Sequence, residues 1–275
     1  MKLLVAGADP ELFLKHPETH ELISAIGIVP GNKDNPYDIS DVLQSTKDGF
    51  AIQVDNVAAE FCIPPSASKE ELTENILLVL NNFNKIVETD VCISTEASAI
   101  FPPELLNNPI AQTFGCDPDF NAWTERENRK PQSVNKNLRS VGGHIHVGYD
   151  DISTQASLNI IKAMDLFLGV PSILLDSDTQ RRELYGKAGA FRFKPYGVEY
   201  RTLSNFWIFS KDTIEWVFEN TSKAVEFVNN EDNISILNSL SNEIQTTINT
   251  NNLESAKALL EKFNIKLPEF TKINN

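Results

Sequence analysis

The chain predicts an α+β (α/β) fold: a sheet with helices packed on one face. Three observations lead there. Short alternating runs bounded by turn residues supply strands and hairpins, N-capped runs of helical period separate them, and beyond Lys211 the pattern is helical throughout.

Residues 2–15 alternate as a strand interrupted by Gly7, and Pro17, Glu18 and Thr19 turn the chain into a second short strand near Leu22 to Ile26. Together they form a hairpin. Residues 30–49, rich in Gly, Asn, Asp and Pro, predict a loop, and GFAIQVDNVAAEFCI reads as one strand ended by Pro64 and Pro65. Ser68 and Glu71 make a capping box, and Leu72, Ile76, Val79, Leu80 and Phe83 continue a helix to near Thr89. VCISTEASAIF predicts a strand, followed by an irregular stretch over 102–139 that holds Gly115, Pro118, Trp123 and Pro131. Structureless segments of that length are unusual and often functional.

Residues 140–149 form a Gly-rich strand, after which Ser153 or Thr154 caps a long apolar helix running to Gly169 and Pro171. A kink or break is expected there. GAFRFKPYGVEYRTLSNFWIF reads as two strands around a turn at Lys194 to Gly197. Helices then cover about 211–228, 234–248 and 253–263. The Asn-rich junction at 229–233 divides a main domain, 1–228, from a small helical C-terminal extension, 229–275.

A hydrophobic content of 41% over 275 residues can build a sizeable core. The net charge of -14 argues against duplex nucleic acid as the main ligand, because a phosphate backbone is bound by clustered Lys and Arg. The three cysteines, Cys62, Cys92 and Cys116, have no CxxC spacing and read as reduced cytosolic thiols. MKLLVAG is short for a signal peptide, and no run approaches the roughly 18 apolar residues of a membrane span. The expectation is a soluble, cytoplasmic protein that engages no membrane.

Chemistry concentrates in three pairs on predicted strands: Asp9-x-Glu11, His144-x-His146 and Glu199-x-Arg201. Side chains two apart on a strand share a face. If the strands share a sheet, that face collects carboxylates, imidazoles and a guanidinium, as handling a metal-bound phosphate requires. Each pair also has a plainer explanation. Two acids in a strand are often a solvated edge, and carboxylate oxygens facing a pocket would instead take Mg2+. Asp55 and Glu60 add two more acids, but their odd spacing puts them on opposite faces of one ideal strand unless a bulge intervenes, which favours Glu60. His144 and His146, two of only four histidines, read as hydrogen-bonded half-buried side chains, as a zinc site, or as contacts for phosphate or carboxylate. No third His or Cys stands at zinc-ligand spacing.

Between Arg181 and Arg201 six cations (Arg181, Arg182, Lys187, Arg192, Lys194, Arg201) face two acids, Glu183 and Glu199, inside an acidic protein. A charged surface strand explains such a patch, and so does a clamp for anionic oxygens. The chain has no GxxxxGK[ST], GxGxxG, HExxH or GxSxG motif.

GADPELFL, DNVAAEF, GCDPDFNAWT, GGHIHVGY and RRELYGKAGAFRFKPYGVEYRTLSN, in this order, resemble the phage-type carboxylate-amine ligases (amidoligases) of the glutamine synthetase and glutamate-cysteine ligase superfamily. The resemblance spans residue 7 to about 207 and leaves the helical tail outside. It implies a glutamine-synthetase-like, curved, mostly antiparallel sheet around a funnel-shaped site, where ATP and two Mg2+ ions activate a carboxylate as an acyl phosphate for attack by an amine. It implies Asp9, Glu11, Glu60 and Glu199 as metal ligands, His144 and His146 as contacts for phosphate or substrate carboxylate, and Arg192 and Arg201 as neutralisers of the transferring phosphoryl group. Arg182 and Lys187 would touch ATP or substrate. Relatives in the wider superfamily commonly carry two glutamates in the first motif. Asp9 is one methylene shorter, which loosens its metal contact or leaves it to position the loop. The implied partners are small-molecule or peptide carboxylates and amines, in a host cytoplasm if the protein is phage-encoded. A metal-dependent hydrolase using the histidines and acids is the competing enzyme class, and a non-catalytic binding module on the same fold is the third reading.

Overall fold

The computed structural model describes residues 1–112, 119–128 and 135–269, and of Glu183 the backbone alone. Cys116, Gly115, Pro118 and Pro131 lie outside the described residues. Among the described residues the expected mixed architecture is present, with no closed barrel, and the strands divide among four antiparallel sheets rather than one.

The largest sheet runs in the order Leu3–Ala8, Ile145–Tyr149, Gly197–Tyr200, Ala190–Lys194, Phe120–Asn121, Arg126–Glu127. Its core face is Ile145, Val147, Val198, Tyr200 and Phe191, all buried in the main hydrophobic cluster. Two helices, Thr154–Met164 and Lys211–Phe227, pack on that side. Alternation therefore turns His146, Glu199 and Arg192 to the other face.

A second sheet pairs Glu11–Leu12, Ala58–Cys62, Ala51–Asp55 and Tyr37–Asp38. It adjoins the first along the edge of Leu3–Ala8, where Ile63 N–H bonds the Ala8 carbonyl at 3.3 Å and Ala6 exchanges backbone bonds with Ser66. Pro10, which cannot donate to a ladder, and Asp9 make the passage between the sheets.

Several boundaries differ from expectation. The run 50–62 is a hairpin, not one strand, because Asn56 takes a left-handed conformation (φ 56°) and reverses the chain. The stretch 91–101 splits into Cys92–Ile93 and Ser98–Ile100, and the loop 30–49 contains the short strand Tyr37–Asp38 and the helix Ser40–Leu43. Leu14–Lys15 and Leu22–Ile23 form the expected N-terminal hairpin. Ser68 and Ser153 cap their helices, accepting from the N–H of Glu71 and Ala156 at 3.2 Å.

The helix from Thr154 does not break at Gly169 or Pro171. A π-helical turn, Asp165–Gly169, widens it ahead of Pro171, with Val170 N–H bonded to the Asp165 carbonyl. The whole Thr154–Leu175 run is long and apolar enough to cross a membrane, which the sequence reading did not anticipate, but 89% of its most apolar stretch is buried inside the protein, as in a core helix. Leu240 divides the expected 234–248 helix into Glu231–Ser239 and Ser241–Asn249. Leu237, Ile244, Ile248, Leu259 and Leu260 from 229–275 enter the same cluster as Leu166, Val170 and Ile173, so chain on both sides of residue 228 shares one core.

Candidate active site

One transverse row crosses the main sheet: Gly7 opposes His146, His146 opposes Glu199, and Glu199 opposes Arg192. Directly opposed residues of an antiparallel ladder share a face, so the row sets an imidazole, a carboxylate and a guanidinium side by side. Lys194, two residues from Arg192, joins them. In the second sheet Glu11 opposes Glu60, and Glu60 opposes Gln53. Asp55, two residues beyond Gln53, falls on that same face, so the turn at Asn56 unites the two acids that one straight strand would have separated.

Glu199, 0% exposed, is the hub of the cationic half. Its Oε1 meets Arg201 in a close ion pair, with Arg192 Nη1 at 3.7 Å and His144 Nδ1 at 3.8 Å. Its Oε2 lies 2.7 Å from Lys194 Nζ. Burial and the Asp9 charge push the Glu199 carboxyl up, yet Arg201 and the two histidines outweigh them and hold it at about 2.

Asp9 sits between the imidazoles, Oδ1 3.3 Å from His144 Nδ1 and Oδ2 3.1 Å from His146 Nε2. Against the cost of burial, the His146 charge and bonds from both rings hold it well below the usual carboxylate range. His146 carries the matching shift: burial lowers it, but Asp9 more than compensates and raises it. On its far side His146 Nδ1 bonds the Tyr196 hydroxyl, and the two rings stack with centroids 5.9 Å apart.

His144 behaves differently. Buried at 4% exposure, it is lowered to about 4 by desolvation and by Arg201, whose Nη1 lies 3.3 Å from its Nδ1. It is neutral at pH 7. Its ring packs on Gly142, where an added Cβ would stand 2.3 Å from Nε2. Glycine is the residue that leaves that space.

In the acidic half the neighbouring cations do not outweigh burial. Glu11 accepts the Gly142 N–H at 2.7 Å, yet burial and the neighbouring Asp55 charge push it up to about 8. Glu60 accepts from Gln53 Nε2 at 2.7 Å and is driven well above its ordinary value by burial, then by Asp9, Glu11 and Asp55. Asp55 is raised too, again chiefly by burial. Carboxylates crowded this way fit a hard divalent cation, which would relieve the repulsion through oxygen ligands. Asp9, His146 and Glu199 also present ligand atoms within 4.8 Å of one another.

Of the residues singled out in the sequence, Asp9, Glu11, Glu60, His144, His146, Arg192, Glu199 and Arg201 converge here. Arg182 does not. Its buried guanidinium donates to the Asp178 carbonyl at 3.3 Å and the Ser172 hydroxyl at 3.1 Å, bracing a helix end. Lys187 is exposed and stands outside the ion-pair cluster. Lys194, counted in the sequence only as one of the cationic patch, and Asp55, ranked there below Glu60, belong to the site. Lys194 shares the alternation of Arg192 and could have been found by it. Arg181 was missed as a brace: it bonds the carbonyls of Val141 and Thr202 at 2.8 Å and of Arg201 at 3.2 Å, pinning the glycine turn to the end of the Glu199 strand. Cys62 shares the face of Glu60, and its thiol is pushed up to about 12 by burial and then by Asp9 and Glu60.

A family model described as phage phiEco32-like COOH.NH2 ligase-type 2 matches residues 133–270, half of the chain. The chain belongs to this family. The match takes in His144, His146, Arg192, Glu199, Arg201 and the C-terminal helices, so the tail lies inside the family pattern and not outside it, as the resemblance had implied. Asp9, Glu11 and Glu60 precede the matched region and reach the ligase residues through the sheet contacts above. No curated protein matches the chain. The family name makes the chain a carboxylate-amine, carbon-nitrogen bond-forming ligase.

Proposed function

We infer that this ligase is ATP- and Mg2+-dependent and forms an amide or isopeptide bond through an acyl phosphate. One observation carries the reading: a crowd of half-buried carboxylates, Glu11, Asp55 and Glu60, stands beside the cationic cluster of Arg192, Lys194 and Arg201 around Glu199. That pairing of a cation-demanding half with an anion-demanding half suits a metal-bound polyphosphate. Asp9, Glu11, Asp55, Glu60 and Glu199 would hold Mg2+, and their number supports two ions. Bound there, the metal would neutralise phosphate charge.

The chain's own residues do the rest. Arg192 and Arg201 face charge that develops on the transferring phosphoryl group. A carboxylate oxygen of the first substrate attacks the γ-phosphorus and ADP leaves. The amine then attacks the acyl carbon, phosphate leaves, and the amine proton passes to solvent. Buried, neutral His144 turns its Nδ1 to Asp9 and Arg201, donating to the first in one tautomer or accepting from the second in the other, while His146, with 22% of its side chain exposed, is the imidazole that reaches substrate or phosphate. A phage-encoded enzyme acting in the host cytoplasm on small-molecule or peptide substrates fits the family name.

ADP release, measured with Mg2+ and ATP across a matrix of acids and amines, tests this reading. Glu199→Ala and Arg201→Ala should remain folded and silent, and retained turnover in both would overturn the site. The compact Asp9, His146, Glu199 group favours a second reading, a metal-dependent hydrolase. Tightly held zinc with hydrolysis independent of ATP would establish it instead.

A further inference from the structure

One fully buried carboxylate lies outside the ion cluster. Asp165, 0% exposed, opens the π-helical turn Asp165–Gly169 on the core side of the main sheet. Its Oδ2 accepts the Trp123 indole N–H at 2.6 Å. Its Oδ1 accepts the Tyr200 hydroxyl at 2.8 Å and the Thr202 hydroxyl at 3.3 Å, and the backbone N–H of Gly189 also bonds the carboxyl.

These donors come from three separate pieces of chain, each flanking the site. Tyr200 lies between Glu199 and Arg201, and alternation sends its ring into the core while its neighbours face the substrate side. Gly189 leads into the strand of Arg192. Trp123 belongs to the 119–128 segment, which docks on the same lead-in through Ala122 N–H to the Gly189 carbonyl and Asn121 Nδ2 to the Ala188 carbonyl, both at 2.9 Å. The helix is built around this hub: a Cβ at Gly169 would stand 2.7 Å from the Tyr200 hydroxyl. Burying a carboxylate is costly unless its oxygens are satisfied, and an apolar side chain would have filled the same volume without that cost.

We propose that Asp165 is a positioning residue of the ligase centre, holding the Glu199 and Arg201 strand, the lead-in to Arg192 and the Trp123 segment in one arrangement. Asp165 touches no reacting atom. It fixes Tyr200 from behind, and Tyr200 fixes the tilt of the two charged side chains beside it. The proposal takes the reaction it serves from the ligase reading, but the geometry it asserts is independent of that reading.

Asp165→Asn and Tyr200→Phe are the test variants, the second removing one hydroxyl with no change of charge. In each, kcat for ADP release should fall by up to about 100-fold, the scale of a small misplacement of catalytic groups. KM for ATP should change by less than threefold. The double variant should lose no more than the worse single one, because both cut the same link. Unchanged kcat in folded Tyr200→Phe, or losses that multiply in the double variant, would overturn the proposal. Mn2+ affinity, followed by electron paramagnetic resonance, separates the two ideas. If the wild-type chain releases no ADP, the ligase reading fails, and the positioning role is then decided by Mn2+ binding alone. Weaker binding in both variants upholds it, and unchanged binding in both refutes it.

Discussion

Glu11, half-buried, and Glu199, fully buried, are carboxylates facing the same site, and their neighbours drive them in opposite directions. Glu11, crowded by Asp55, rises to about 8, while Glu199, ringed by Arg201 and the histidines, falls to about 2. A carboxyl raised on folding contributes stability that is complete below its unfolded value, near 4.5, and lost as pH climbs through about 8. Glu11→Gln should therefore raise the melting temperature of the metal-free protein at pH 8, where the wild type has lost that contribution, and not at pH 4. The same substitution should abolish Mg2+-dependent ADP release. Melting curves at the two pH values decide it, and an equal shift at both would contradict the crowding. Arg201→Lys should keep the fold but lower kcat by about 100-fold, since a flexible point-charge ammonium lacks the planar, delocalised guanidinium whose Nη1 meets both Glu199 Oε1 and His144 Nδ1. The three pairs were legible from their spacing, although Asp9, His144 and Arg201 each lie one residue beyond a strand and Asp9 and Glu11 are divided by the passage between two sheets. Asp55 was misplaced because Asn56-Val57 is a weak turn signal beside Asn-Gly, and Arg182 because counting cations says nothing of which ones are buried.

Elements were legible where one local signal dominated. Ser68 and Ser153 announced their helices, and Lys194 to Gly197 its hairpin, since caps and turns depend on a few adjacent residues. The π-helical turn at Asp165–Gly169 was invisible, because its partners, Trp123, Gly189, Tyr200 and Thr202, are distant in sequence and burial alone gives the carboxylate its character. That turn has its own signature. Desolvation pushes Asp165 up to about 7, only partly offset by its hydrogen bonds, so its contribution to stability is whole below about pH 4 and disappears as pH rises through 7. Relative to Asp165→Asn, the wild type should lose on the order of a few kcal/mol between pH 4.5 and 7.5. Urea denaturation of both proteins across that window measures it; parallel curves would show that Asp165 ionises as freely folded as unfolded.

At the scale of the whole molecule the question is whether residues 229–275 are an appendage. Composition suggested a boundary, because an Asn-rich junction looks the same in sequence whether it separates domains or merely turns between packed helices. We infer from the packing that the junction is such a turn: Leu237, Ile244, Ile248, Leu259 and Leu260 fill the core beside Leu166, Val170 and Ile173, and Trp216 Nε1 bonds the Lys266 carbonyl at 2.9 Å. Burying each of those five side chains contributes roughly 2 kcal/mol. Their joint loss, on the order of 10 kcal/mol, rivals the about 5–15 kcal/mol that holds a typical domain folded. The tail also touches the lead-in to the strand that carries Arg192, since Asn249 Oδ1 accepts the Ala188 N–H at 2.9 Å. Calorimetry of the full chain should accordingly show one cooperative transition, and a chain ending at residue 228 should not fold on its own. Two resolved transitions, or a folded 1–228 fragment that still releases ADP, would make the tail a separate module. Asn249→Ala gives the finer test, because it cuts only the bond to the Arg192 lead-in: turnover should fall more than the melting temperature if the tail steadies the phosphate side of the site as well as the core.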